Sequence, residues 1–91
     1  MKHIEWHNET NALLKKERDV AFEDVIFAID NDQLIDVVEY HNKDKYNHQR
    51  VFVVEIEGDV YLVPYVEDDE NIFLKTIIPS RKATKKYLQE R

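Results

Sequence analysis

The chain has 91 residues, 43% of them apolar, with 13 basic and 19 acidic side chains for a formal net charge of −6, and it contains no cysteine. A length of this order predicts one domain over residues 1–91 rather than two, and the missing cysteines exclude a disulfide framework and a thiol nucleophile. No charged segment leads into an apolar one and no apolar run approaches membrane-spanning length, while the acidic balance disfavours non-specific coating of nucleic acid, so a cytoplasmic protein without a membrane partner is expected.

His3 and His7 stand four apart beside Trp6, a spacing that would let both reach one metal ion from a helix. No third ligand accompanies them, so no metal site is expected. Asn8 has an N-cap side chain and predicts a first helix from Glu9 to about Lys16. Phe22, Val25, Ile26 and Ile29 recur at i, i+3, i+4 and i+7, which predicts a second amphipathic helix ended by Asp30-Asn31-Asp32. Leu34 to Val38 reads as a short strand, and the polar stretch from Glu39 to Gln49 as an exposed loop.

Three strands in a meander are expected next. Arg50 to Glu57 and Val60 to Val66 form a hairpin through Gly58-Asp59, where the only glycine supplies a positive φ. Pairing Glu57 with Val60 would set Phe52 opposite Tyr65, Val54 opposite Val63 and Ile56 opposite Tyr61, all on one face. The acidic turn Glu67 to Glu70 lacks the glycine and alternating oxygens of a calcium loop, and reads as a solvated connection. Beyond it, Phe73, Lys75 and Ile77 are expected on the aromatic face, and Ile72, Leu74, Thr76 and Ile78 on the aliphatic one. The helices are expected to cover Val51, Val53, Leu62, Leu74 and Ile78, because closely packed branched side chains suit a dry core. Arg50, Phe52, Tyr61, Tyr65, Phe73 and Lys75 would then remain either as a face on which single-stranded RNA stacks its bases and sets its phosphates, or as a second core face under a helix with Arg50 and Lys75 reaching out to its edge.

Ser80 is placed to cap a last helix, with Ala83, Thr84, Tyr87 and Leu88 as its inner stripe and Arg81, Lys82, Lys85 and Lys86 outside. Charge divides sharply here. Lys75 to Arg91 carry six basic and one acidic residue, against seven and eighteen in Met1 to Leu74. A local basic patch attracts phosphate even when net charge opposes it. Cations in the first turn oppose the helix dipole, a small loss that favours a binding role.

The order of two helices, short strand, meander and basic helix, with Ile4-Glu5-Trp6, Val20-Ala21-Phe22-Glu23-Asp24 and Ile77 to Thr84 (IIPSRKAT), resembles the BrnT-type toxins of bacterial type II toxin–antitoxin pairs over nearly the whole chain. The resemblance implies an α+β fold of RelE-like type: two N-terminal helices, an antiparallel meander sheet of three to four strands and a C-terminal basic helix. It also implies a ribonuclease that cleaves mRNA and is silenced by a cognate antitoxin protein. Arg50, Tyr65 and Arg81 match the family. Glu17-Arg18-Asp19 stands where the family commonly has Lys-His-Gly, Leu74 and Thr76 stand where it tends to carry arginines, and Pro79-Ser80 replaces its usual Ser-Ala.

Cleavage of RNA without a metal needs a base for the 2′-hydroxyl, a donor for the leaving oxygen and cations for the developing charge. His41 in the polar loop is the candidate proton carrier, with His48 as an alternative; Arg50, Lys75 and Arg81 are candidate phosphate clamps, and Tyr65 a donor or stacking ring. Tyr61, Lys82, Lys85 and Lys86 are candidate RNA contacts. No cofactor is expected: a single glycine cannot build a phosphate loop, and no serine sits in an elbow motif. Two functions follow, an endoribonuclease toxin acting on RNA, free or on the ribosome, or a non-catalytic protein- or RNA-interaction module that keeps the fold. An unpaired sheet edge would let the chain form a homodimer, or pair with an antitoxin strand in a heterotetramer. The acidic helices would suit a basic antitoxin segment.

Overall fold

A computed structural model of the chain describes residues 2–39 and 49–89. In chain order the elements are β1 (His3–Glu5), α1 (Asn8–Arg18), α2 (Phe22–Asp30), β2 (Leu34–Glu39), β3 (Gln49–Ile56), β4 (Asp59–Glu67), β5 (Asn71–Leu74), β6 (Ile78–Pro79) and α3 (Arg81–Thr84), which widens into a π-helical turn over Lys85–Gln89. The class is mixed α+β, as expected. Among the described residues the sheet has six strands rather than three or four, ordered β1-β5-β4-β3-β2 with β6 also paired to β4. The extra edge strand is β1, which precedes the first helix and pairs parallel to β5, Ile4 opposite Ile72. No helix among the described residues is long and apolar enough to cross a membrane.

The helices start and stop for identifiable reasons. His7, rather than Asn8, is the N-cap residue of α1, and Asp19 ends that helix in a left-handed conformation with φ 54°. The N-cap residue of α2 is Ala21, whose side chain cannot cap. Two other groups supply the missing bonds. The Asp24 carboxylate accepts from Ala21 N at 2.8 Å, and the buried Asn11 of α1 accepts from Phe22 N at 2.8 Å. Asn11 also donates to Glu23 Oε1 at 2.8 Å, so one amide joins the two helices. Arg18 reaches the carbonyl of Ile77 and ties the end of α1 to the segment leading into β6.

The hairpin forms where it is expected, in a register shifted by two. Phe52 faces Val63, Val54 faces Tyr61 and Ile56 faces Asp59. The turn residues are Glu57 and Gly58, with φ 51° and 85°, rather than Gly58 and Asp59. Positive φ at both central positions matches the twist of the flanking strands and puts glycine second. A shift of two leaves every side chain on its expected face, so Phe52, Val54, Val63 and Tyr65 still share one side. The next connection shifts by one and reverses the faces. Tyr65 pairs with Leu74 and Val66 with Phe73, so Leu74 joins the aromatic face while Phe73 and Lys75 join the other. The cause lies in Asp68, whose Oδ1 accepts from Glu70 N and Asn71 N at 2.9 and 2.7 Å and closes a tighter turn than the acidic run implies. These bonds, first to Glu70 and then to Asn71, hold the Asp68 carboxyl below its ordinary value.

The two faces are covered the opposite way round from expectation. Helices α1 and α2 lie on the aromatic side, where Leu14, Val20, Phe22, Val25 and Ala28 pack with Phe52, Val54, Val63, Tyr65, Leu74 and Ile77 in one buried cluster. Phe52 and Tyr65 stack at 4.0 Å between ring centroids, and Trp6 stacks on Phe22 at 5.5 Å. Rings bury more apolar area than valines, so they serve the side on which two helices must be held. The valine side, Val51, Val53 and Val60, is buried as well. There α3 packs, with Val60 N donating to Thr84 Oγ1 at 2.9 Å and Tyr87 OH donating to Asp36 Oδ2 at 3.3 Å. Ala83 and Thr84 are small enough to bring this helix close to short branched side chains.

Candidate functional site

The nine candidate residues do not form one cluster. Arg50 and Tyr65 are cross-strand partners on the face beneath α1 and α2. Tyr65 is only 3% exposed, so it is a core ring and offers no platform for a base. Burial pushes its phenol pKa up, Glu67 adds to the rise, and Arg50 opposes it by charge and hydrogen bonding. Arg50 in turn lies 3.6 Å from Glu67 Oε1, and Lys2 Nζ donates to Glu67 Oε2 at 2.8 Å. The Arg50 cation is thus already engaged with a carboxylate at the rim of the core.

Tyr61 sits near the other end of the same face. It shares a cavity of about 270 Å³ with Asp19, Asp24 and Glu57. Burial raises its phenol pKa, and Asp59, Glu57, Asp24 and Asp19 raise it further, which marks a negative local field that repels phosphate. His41, like His48, lies outside the described residues.

The remaining five candidates, Lys75, Arg81, Lys82, Lys85 and Lys86, all belong to the opposite side of the sheet. Lys75 N donates to Pro64 O and so continues the β4–β5 ladder, and its ammonium lies 5.5 Å from the centre of the Phe73 ring. Ser80 anchors α3, as the sequence predicts: its Oγ accepts from Ala83 N at 3.1 Å, its N–H donates to Val60 O, and its carbonyl accepts from Thr84 N. The expected inner stripe of Ala83, Thr84, Tyr87 and Leu88 is half-buried, whereas Arg81, Lys82, Lys85 and Lys86 are exposed. Lys86 lies 5.3 Å from the Tyr87 ring, and among the described residues none of these four cations is in an ion pair. The level of Ser80 at Val60 is five strand residues from that of Arg50, since Glu55 pairs with Val60, which is about 17 Å along the sheet. Arg50 and Arg81 therefore belong to different ends and different faces.

One residue was weighed in the sequence only as a metal ligand. His7 meets the edge of Phe73, with ring centroids 5.0 Å apart, on the ring that Lys75 also overlies. An exposed imidazole and an exposed ammonium therefore flank one ring on the basic side of the sheet. The only signal in the sequence is the run Trp6-His7 just before a helix, and its meaning depends on β1 pairing with β5, which local pattern does not reveal. His3 lies on β1, not on a helix with His7, and its Nε2 is 3.4 Å from Glu5 Oε1.

The arrangement has two chemically distinct surfaces. On one side, exposed cations in no ion pair among the described residues and a histidine-flanked ring offer contacts for a polyanion. On the other, carboxylates surround the partly buried Tyr61. Compared with known proteins, the chain matches no family model, no curated protein and no solved structure.

Proposed function

We propose that the chain is a toxin of the BrnT type in a bacterial type II toxin–antitoxin pair, an endoribonuclease of RelE-like fold that meets RNA on its α3 side and is silenced by an antitoxin. The observation that carries the reading is the exposed row Arg81, Lys82, Lys85 and Lys86, held outward by a helix whose inner stripe docks on the sheet. Four cations without anionic partners among the described residues gain most from a phosphate backbone, because each contact releases counterions. The resemblance of the chain from Ile4 to Thr84 to that family supplies the reaction class. In this reading Arg81 and Lys75 bind phosphate, Lys82, Lys85 and Lys86 hold the strand, and the exposed imidazole of His7 beside Phe73 offers a further polar contact on that side. Arg50, Tyr65 and Tyr61 act in holding the fold rather than on RNA.

The test is cleavage of a labelled single-stranded RNA by purified protein, with and without EDTA, beside Arg81→Ala. Cutting that survives EDTA and falls at least tenfold in the variant is the expected result. Intact RNA under all conditions would remove the catalytic reading for free RNA.

A second reading is favoured by one observation, the dispersal of the family-matching residues: Tyr65 is buried, Arg50 is engaged by Glu67, and Arg81 is remote from both. It makes the chain a non-catalytic interaction module that retains the fold and binds RNA or protein through the same basic helix. RNA bound but uncut would select it.

A further inference from the structure

Two cavities, of about 450 and about 270 Å³, lie where α2 meets the β3–β4 turn. They share Asp24, Ile56 and Glu57 in their walls and so form one groove. Its apolar wall includes Ile56 and Phe27, and Phe27 is 66% exposed although α2 buries Phe22, Val25 and Ala28. Its rim carries Asp19, Asp24 and Glu57, and no basic side chain lines either cavity among the described residues.

We propose that this groove docks a basic segment of a partner protein, seating one apolar side chain against Phe27 and Ile56 and setting cations against Asp19, Asp24 and Glu57. An exposed ring beside a preformed hollow supplies the apolar anchor point typical of a small interface. These carboxylates, in no ion pair among the described residues although Asp24 also caps α2, select the sign of the partner, admitting Lys- or Arg-rich chain and rejecting nucleic acid and acidic proteins. The Tyr61 phenol on the groove wall is pushed up in pKa by burial first and then by Asp59 and these same rim carboxylates. The groove lies beneath the helices, on the opposite side of the sheet from α3, so a partner seated in it and RNA on α3 do not compete for the same residues. Under the function proposed above the partner is the antitoxin, but the surface itself does not depend on RNA cleavage.

Two labelled synthetic peptides with the same Lys and Arg content, one with Leu and Phe interspersed and the other with Ser in their place, test this by fluorescence anisotropy. The apolar peptide is expected to bind saturably, and the serine peptide weakly. Phe27→Ala, and separately the pair Asp19→Asn and Glu57→Gln, should each weaken binding by roughly tenfold or more. Neither change removes a core contact or a helix cap, so the thermal midpoint should stay near the parent's, and RNA binding by the same variants should be unchanged. Equal binding of the two peptides, no saturable binding, or variants that bind as the parent does would overturn the proposal. Self-association of the parent that Phe27→Ala abolishes would also overturn it, by making the occupant a second copy. Loss of RNA binding in Arg81 variants alone would bear on the proposed function and leave the groove untouched.

Discussion

The two faces of the sheet are both apolar and both covered by helix, yet their polar groups are used differently. Beneath α1 and α2, polar and charged side chains hold structure: Asn11 caps α2, Arg18 reaches Ile77, and Glu67 engages Lys2 and Arg50. On the α3 side, the fold is held by backbone bonds and the hydroxyls of Ser80, Thr84 and Tyr87, while Arg81, Lys82, Lys85 and Lys86 face solvent. The lesson is that charge density alone does not mark a binding surface; a cation must also lack a structural partner. Substitutions in the buried network of the first face should therefore change stability, and those of the exposed cations on the second should change RNA binding.

The largest effect is expected in the core of the first face. Phe22 is fully buried and stacks on Trp6, so Phe22→Ala should lower unfolding free energy by about 3–5 kcal/mol, read as an early denaturant midpoint. Asn11→Ala removes the cap of α2 and leaves the Phe22 N–H without its partner, which should cost about 1–3 kcal/mol with little effect on RNA affinity. Ser80→Ala blurs the comparison usefully, because it lies on the binding side yet removes the N-cap of α3. It should cost about 1 kcal/mol and weaken RNA binding by loosening the basic helix.

The smallest effect is a pH dependence. The Glu23 carboxyl is held below its ordinary value, chiefly by the Asn11 side-chain hydrogen bond and then by its own backbone. The unfolded chain takes up that proton near pH 4, so the stabilisation is fully present above that pH and is lost as pH falls through the lower folded value. Denaturant titrations across that range should show a shallower acid decline in Asn11→Ala than in the parent. Equal declines would show that the Asn11–Glu23 bond contributes nothing in solution.

Much of the architecture was legible because it rests on local chemistry. The glycine at position 58 announced the hairpin, the spacing from Phe22 to Ile29 announced α2, and Ser80 with its inner stripe announced α3. What escaped notice depends on distant partners. A strand of three residues such as β1 has too few positions to show alternation, and its pairing with β5 joins segments some seventy residues apart. The reversal of Phe73, Leu74 and Lys75 came from an aspartate closing a turn one residue tighter than expected. Which face the helices would take could not be read from polarity, since valines and rings are both apolar. That choice decided the candidate site, because it moved Tyr65 into the core and left Lys75, Arg81, Lys82, Lys85 and Lys86 as exposed candidate cations.

The most direct measurement is titration of a labelled single-stranded RNA at several salt concentrations, with the parent and with a variant carrying Arg81→Gln, Lys82→Gln, Lys85→Gln and Lys86→Gln. If the α3 side is the binding surface, the variant keeps the parent's thermal midpoint, binds RNA much more weakly at low salt, and shows a salt slope smaller by up to about 3. Equal affinity and equal slope in the two proteins would contradict the assignment of RNA to that side.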